Sequence, residues 1–161
     1  MRLYEFRERC LIGIVSDTHG QLFAGVFNSI KNTDLIIHAG DIGGADILAD
    51  LKKISAVVAV RGNMDGGPWA KDLPAAKLIR VAGVRIYVLH NAYMLDIEPN
   101  SANIGVVISG HTHRPSIQKK NGVLFLNPGS ASQPRYGGPA SFALLDIHNN
   151  YIAPRIITIA D

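Results

Sequence analysis

A chain of 161 residues with 47% apolar composition is the size of one ordinary domain and can bury a core without covalent staples. Its net charge of +3 comes from basic residues scattered along the chain, only Lys52-Lys53 and Lys119-Lys120 adjoining, so no stripe for nucleic acid is present. The single cysteine, Cys10, excludes an intramolecular disulfide, and the first apolar run, Leu11 to Val15, is far too short to span a membrane; residues 1–161 are therefore expected to form a single cytosolic domain.

Residues Met1 to Arg9 are charged, carry Leu3, Tyr4 and Phe6, and offer no pairing signal, so they are read as an extension. Val-, Ile- and Leu-rich runs at Leu11 to Val15, Leu35 to Ile37 and Ala56 to Val60 predict buried strands. Between them, Gln21 to Lys31 carries Leu22, Val26 and Ile30 at helical spacing, and Ala45 to Ile54 carries Ile47, Leu48, Leu51 and Ile54. This alternation predicts a parallel sheet with right-handed crossovers, whose functional groups gather beyond the carboxyl ends of the strands.

After Arg61 the pattern changes to strands at Ala76 to Val81, Val84 to Leu89, Gly105 to Ser109, Ser116 to Lys119, Val123 to Leu126, Phe142 to Asp146 and Ile152 to Ile159. Ala82-Gly83 and Asn121-Gly122 are hairpin turns. The second half is expected to form a mixed or antiparallel sheet packed on the first around a shared core, an α/β fold of two sheets flanked by helices.

The polar residues that follow the strands are all metal-competent: Asp17 and His19 after the first, Asp41 after the second, Asn63 and Asp65 after the third, His90 after Leu89, and His111 and His113 after Ile108. Singly, each is better explained as a cap, a turn residue or a solvated side chain, and His38 and His148 are read as structural. Together they put a ring of oxygen and imidazole donors on one rim, which suits Mn, Fe, Ni, Co or Zn better than Mg or Ca.

In this order the blocks Asp17-Thr18-His19, Gly40-Asp41, Gly62-Asn63-Met64-Asp65, His90 and Gly110-His111-Thr112-His113 resemble the calcineurin-like metallophosphoesterase superfamily, in particular its small prokaryotic YfcE-type branch. Asn127-Pro128-Gly129-Ser130 and Pro134-Arg135 extend the likeness. The resemblance implies a four-layer α/β/β/α sandwich and two divalent ions, one held by Asp17, His19 and His113, the other by Asn63, His90 and His111, with Asp41 bridging. It implies hydrolysis of a small phosphate ester, a diester ahead of a monoester, by a metal-bridging hydroxide. Catalysis would run through Asp17, Asp41, Asn63, His90 and His111, with Asp65 at low weight; Asn63, Gly129, Ser130 and Arg135 would contact substrate.

Two departures stand out. Met64 occupies the position where many superfamily members have a histidine thought to protonate the leaving group, so substrates with good leaving groups are expected. Asn91 replaces the usual glycine after His90, and the stretch to Gly110, interrupted by Pro99, is short of a full helix; residues 91–102 are read as a loop. The rival class is a non-catalytic scaffold, since the retromer scaffold subunit resembles these enzymes yet has lost part of the metal set. Homo-oligomerisation is left open, and an RNA-processing nuclease is the weakest option.

Overall fold

A computed structural model describes residues 2–4 (as backbone), 8–132 and 137–159. Eleven strands are present among them: β1 (Arg2–Tyr4), β2 (Arg9–Val15), β3 (Leu35–His38), β4 (Ala56–Ala59), β5 (Ala76–Val81), β6 (Val84–Leu89), β7 (Val106–Ile108), β8 (Ser116–Lys120), β9 (Val123–Asn127), β10 (Ala140–His148) and β11 (Tyr151–Ile159). Two helices, α1 (Ala24–Ser29) and α2 (Ala45–Lys52), fill the first two crossovers. The strands form two mixed sheets, ordered β11-β10-β2-β3-β4 and β1-β5-β6-β7-β9-β8.

The βαβαβ opening follows the apolar runs: β2, β3 and β4 are parallel, with Ile14 beside Ile37 and Ile37 beside Val58. Alternate residues of these strands face in opposite directions. Ile12, Ile14, Ile37 and Val58 meet Ile79, Ile86, Val88 and Ile108 of the other sheet in the central core. Val15 and Ile36 face outward onto Val26, Ile30, Ile47 and Leu51 of the helices. In α2, Asp46 in the first turn and Lys52 in the last complement the helix dipole.

Helix α1 is shorter than its apolar period predicts. The N–H of Gln21 is taken by the Thr18 carbonyl and that of Phe23 by the Ala131 carbonyl, so the turn that would start the helix earlier is tied to neighbouring loops.

The division of strands between sheets also differs from a split by halves. β10 and β11 return to the first sheet, β10 lying antiparallel to β2 with Ala143 opposite Ile14. The crossovers put β3 and β4 on one side of β2 and leave its other edge open; β10, buried on both faces over most of its length, fills it. β1, for which the sequence carries no pairing signal, lies parallel to β5 on the free edge of the second sheet.

Both expected hairpin turns are present. Ala82-Gly83 and Asn121-Gly122 each have positive φ at both positions, as the type I′ hairpin requires, and Asn149-Asn150 makes a third such turn between β10 and β11.

The two outer layers are unequal. Helices α1 and α2 cover the first sheet, whereas the stretch after His90 is a coil with one 3-10 turn at Ala92–Met94, capped by the Asn91 side chain accepting from the Tyr93 N–H at 3.0 Å. From this coil Leu95, Ile97 and Ala102 pack on Leu78, Tyr87 and Phe125 of the second sheet.

Candidate metal centre

Five loops converge at the carboxyl ends of β2, β3, β4, β6 and β7. The first two run side by side: Asp17 N–H donates to the Gly40 carbonyl at 3.0 Å, His19 N–H to Asp41 at 2.9 Å, and Gly20 N–H to Ile42 at 2.7 Å. Gly110 N–H donates to the His90 carbonyl at 2.9 Å, joining the fourth loop to the fifth. Asp17, Asp41, His19, His111 and His113 all have positive φ, between 47° and 70°. Aspartate and histidine tolerate this region better than most residues, but each such residue still costs about 1–3 kcal/mol, maintained by the surrounding contacts.

His111 and His113 are therefore not presented by an extended segment, as their spacing led us to expect. The Thr112 N–H folds back onto the Gly110 carbonyl at 2.8 Å, and the two imidazoles turn to different parts of the site. His113 Nε2 lies 3.3 Å from Asp17 Oδ1 and 3.3 Å from His19 Nε2, the His19 and His113 rings being stacked. His111 Nδ1 lies 3.1 Å from Asn63 Oδ1, and its ring meets His90 edge-on.

Asp41 lies between these groups. Its Oδ1 accepts from the Met64 N–H at 2.8 Å, and its Oδ2 is 3.3 Å from His90 Nε2 and 3.9 Å from His19 Nε2. Two sets of donor atoms, Asp17, His19 and His113 on one side and Asp17, Asp41 and His90 on the other, each lie within 4.8 Å of one another and could hold a metal ion.

Charge and burial give the same indication. Asp17 Oδ1 and His90 Nε2 are buried, have no hydrogen-bond partner among the described residues, and stand 3.9 Å apart. Since the Ala39 carbonyl can only accept, His90 Nδ1–H donates to it at 2.7 Å, and in the neutral ring Nε2 carries its lone pair toward the two carboxylates. Burial pushes the Asp17 carboxyl above the usual range despite Ser16, His90 and His113. At Asp41 burial acts the same way but is outweighed by the neighbouring His90 imidazole and the bond from the Met64 N–H, leaving its pKa depressed; His90 is raised because Asp41 outweighs its own desolvation. Without a cation the carboxylates draw protons onto an imidazole, and the donor set suits a divalent ion in that place.

Several sequence-predicted residues turn out to hold the site. Asp65 accepts from the N–H groups of Ile42 at 2.8 Å, Gly43 at 3.0 Å and Gly62 at 2.9 Å, clamping the third loop to the second, which makes it a positioning residue. Gly129 and Ser130 are likewise internal: Gly129 N–H donates to Asn127 Oδ1, and the buried Ser130 hydroxyl donates to the Asp17 carbonyl at 3.0 Å. Ser130 thereby supports Asp17 from behind, and Gly129 closes the turn at Asn127. Arg135 lies outside the described residues. Met64 holds Asp41 through its backbone while its side chain is 63% exposed.

Two supports escape a reading for metal donors. Asn127 donates to the Gly110 carbonyl at 2.8 Å and to Thr112 Oγ1 at 3.1 Å, fixing the loop that carries both histidines, and the Ser132 hydroxyl donates to the Asp17 carbonyl at 2.9 Å. The only sequence signal for either is proximity to Pro128-Gly129. Gly110 is required by contact: a Cβ there would collide with the Ser16 side chain and the Asp17 carboxylate. His38 is structural, as read. Gly40 N–H donates to its Nδ1, so Nε2–H donates to Thr18 Oγ1 at 2.9 Å, which in turn donates to the Ile42 carbonyl at 2.7 Å.

Residues 10–150 match the profile of the calcineurin-like phosphoesterase superfamily domain. A probable metallophosphoesterase of Methanocaldococcus jannaschii is 38% identical over 138 residues, 78% of this chain and 70% of the relative. The phosphodiesterase YfcE of Escherichia coli K12 is 30% identical over 103 residues, 56% of this chain and 52% of that protein. Among solved structures, vacuolar protein sorting 29 of Cryptosporidium parvum superposes with a TM-score of 0.80 at 22% identity, over 96% of this chain and 93% of that one, which shows the shared fold.

Proposed function

The chain belongs to the calcineurin-like phosphoesterase superfamily, and on that premise we propose that it is a metal-dependent phosphodiesterase with a dinuclear centre. In this reading Asp17, His19 and His113 hold one ion, Asn63, His90 and His111 the other, and Asp41 both. When bound, two divalent ions supply a hydroxide nucleophile from water and neutralise the phosphate oxygens. Mn, Fe, Ni, Co and Zn all suit such mixed imidazole and carboxylate donors.

The observation that carries the proposal is the pair of buried, unpartnered atoms Asp17 Oδ1 and His90 Nε2, 3.9 Å apart and surrounded by further donors. Leaving such groups unsatisfied costs about 1–3 kcal/mol each, a cost that an ion held by each of them would remove. The remaining steps belong to the chain itself. The Ala39 carbonyl fixes the His90 tautomer, Asp65 clamps the loop bearing Asn63, and the serines behind Asp17 keep its carboxylate turned inward. Asn63 is neutral and exposed, so it adds an oxygen donor at the mouth of the site without adding negative charge against an incoming phosphate. The Met64 side chain has no proton to give, which favours esters whose departing oxygen is already acidic. A diester is favoured over a monoester by the likeness to a phosphodiesterase, and because it carries one negative charge fewer to neutralise.

Purified protein should be stripped of metal, reloaded separately with Mn, Ni, Co, Zn and Mg, and assayed on matched aryl diesters and monoesters, with metal content measured alongside. Two ions per chain and metal-dependent diester turnover are expected. Asp41→Ala should cost at least about a hundredfold in kcat, whereas His148→Ala, on the exposed end of β10, should leave kcat within about twofold. Equal losses in the two variants would overturn the site assignment.

A further inference from the structure

Beside the donors Asn63, His90 and His111 opens a cavity of about 520 Å³. It lies on that side of the centre only: Asp17, His19 and His113 do not line it. Its walls include Ala76, Leu89 and Met94, and toward the coil it is lined by Tyr87 and Asp96. Asp96 is its one acidic side chain, and no lysine or arginine lines it among the described residues.

A group seated here is tethered to whatever phosphorus the centre holds, because the cavity shares three side chains with the proposed donor set. Its volume suits an aromatic ring with a short substituent, and its walls reward apolar surface. Away from the proposed donors, a second phosphate would meet a carboxylate and, among the described residues, no basic side chain, whereas an ammonium or N–H group would meet an acceptor. We propose that this cavity receives one alcohol substituent of the diester, an apolar or aromatic group ending in a cationic or hydrogen-bond-donating function, and that it turns away substituents carrying further negative charge. The inference rests on the phosphodiesterase reading above and adds to it the class of alcohol.

The test uses the full chain loaded with Mn and three 4-nitrophenyl diesters whose other substituent is methyl, 4-(aminomethyl)benzyl or 4-carboxybenzyl. The aminomethylbenzyl ester should exceed the methyl ester in kcat/KM by at least about tenfold, with the carboxybenzyl ester the poorest. Asp96→Lys should invert the order of the two benzyl esters, and Ala76→Phe should bring the aminomethylbenzyl advantage down to none. Equal kcat/KM across the series, or an order unchanged by Asp96→Lys, overturns the proposal. Should no ester turn over with any metal, the phosphoesterase reading fails on its own, and binding decides the cavity. In that case 4-methylbenzylamine titrated into methyl-labelled protein should shift the Leu89 and Met94 methyl signals, an effect lost in Ala76→Phe; absence of such shifts overturns the cavity assignment.

Discussion

The side-chain hydroxyl of Ser132 donates to the backbone carbonyl of Asp17 at 2.9 Å, across 115 positions of sequence, and Ser130 donates to the same oxygen at 3.0 Å. A left-handed residue in the middle of the site is thus held from behind by two serines that are not among the proposed metal donors. Replacing both serines by alanine leaves a buried carbonyl unsatisfied and lets the Asp17 carboxylate swing. The double variant is expected to lose about 10–100-fold in metal affinity by titration calorimetry, with its far-ultraviolet dichroism unchanged. Unaltered affinity would show that the serines only pack.

Asp65→Asn separates holding the site from reacting in it. The three N–H groups that converge on this carboxylate cannot all be served by an amide, whose nitrogen is itself a donor. Urea unfolding should show a loss of about 1–3 kcal/mol. If stability is untouched while turnover collapses, Asp65 acts on substrate and its positioning role is wrong.

Burial holds the His38 imidazole down to about 3, with repulsion from His90 adding to the effect. In the unfolded chain the group titrates near 6.5, so on acidification the unfolded state takes up a proton that the folded state refuses. The stability contributed by neutral His38 is therefore complete above pH 6.5 and is lost as the pH falls toward 3, by up to about 1.4 kcal/mol per pH unit. Unfolding free energies in chelating buffer between pH 7.5 and 5 should fall more steeply for the wild type than for His38→Gln; parallel curves would contradict this.

Metal removal should be visible without any assay of turnover. An ion that binds only the folded chain at a hundred times its dissociation constant adds about 2.7 kcal/mol, or about 5–10 °C in Tm for a domain of this size. Calorimetric scans with and without chelator are expected to differ by at least that much in the wild type and by much less in Asp17→Ala.

Most of this architecture was legible in the sequence because its signals are local. Ala76 to Val81 and Val84 to Leu89 have the bounds their residues announce, since alternation and an Ala-Gly turn are properties of neighbours. The seven residues proposed as donors stand out in the sequence because each follows a strand. What escaped depends on partners distant in sequence. The placement of β10 against β2 follows from an edge left open by the crossovers, and the start of α1 is set in part by the Ala131 carbonyl of a loop distant in sequence. The inward turn of Ser130 is of the same kind: nothing around Asn127-Pro128-Gly129 says that the hydroxyl will meet the Asp17 carbonyl. His111 and His113 do not share the extended segment that their spacing suggests, because a separation of two residues carries no information on the sign of φ.

The parallel pairing of Arg2–Tyr4 with Ile79–Val81 has a consequence for self-association. Without those three residues β5 would be a six-residue strand with one row of backbone donors and acceptors open to solvent, a template onto which another chain could add. The three residues cover the Ile79–Val81 half of that row and are too few to extend it. Changes at this edge of the sheet, away from the loops of the metal centre, are therefore expected to act on how chains gather in concentrated solution before they act on the chemistry.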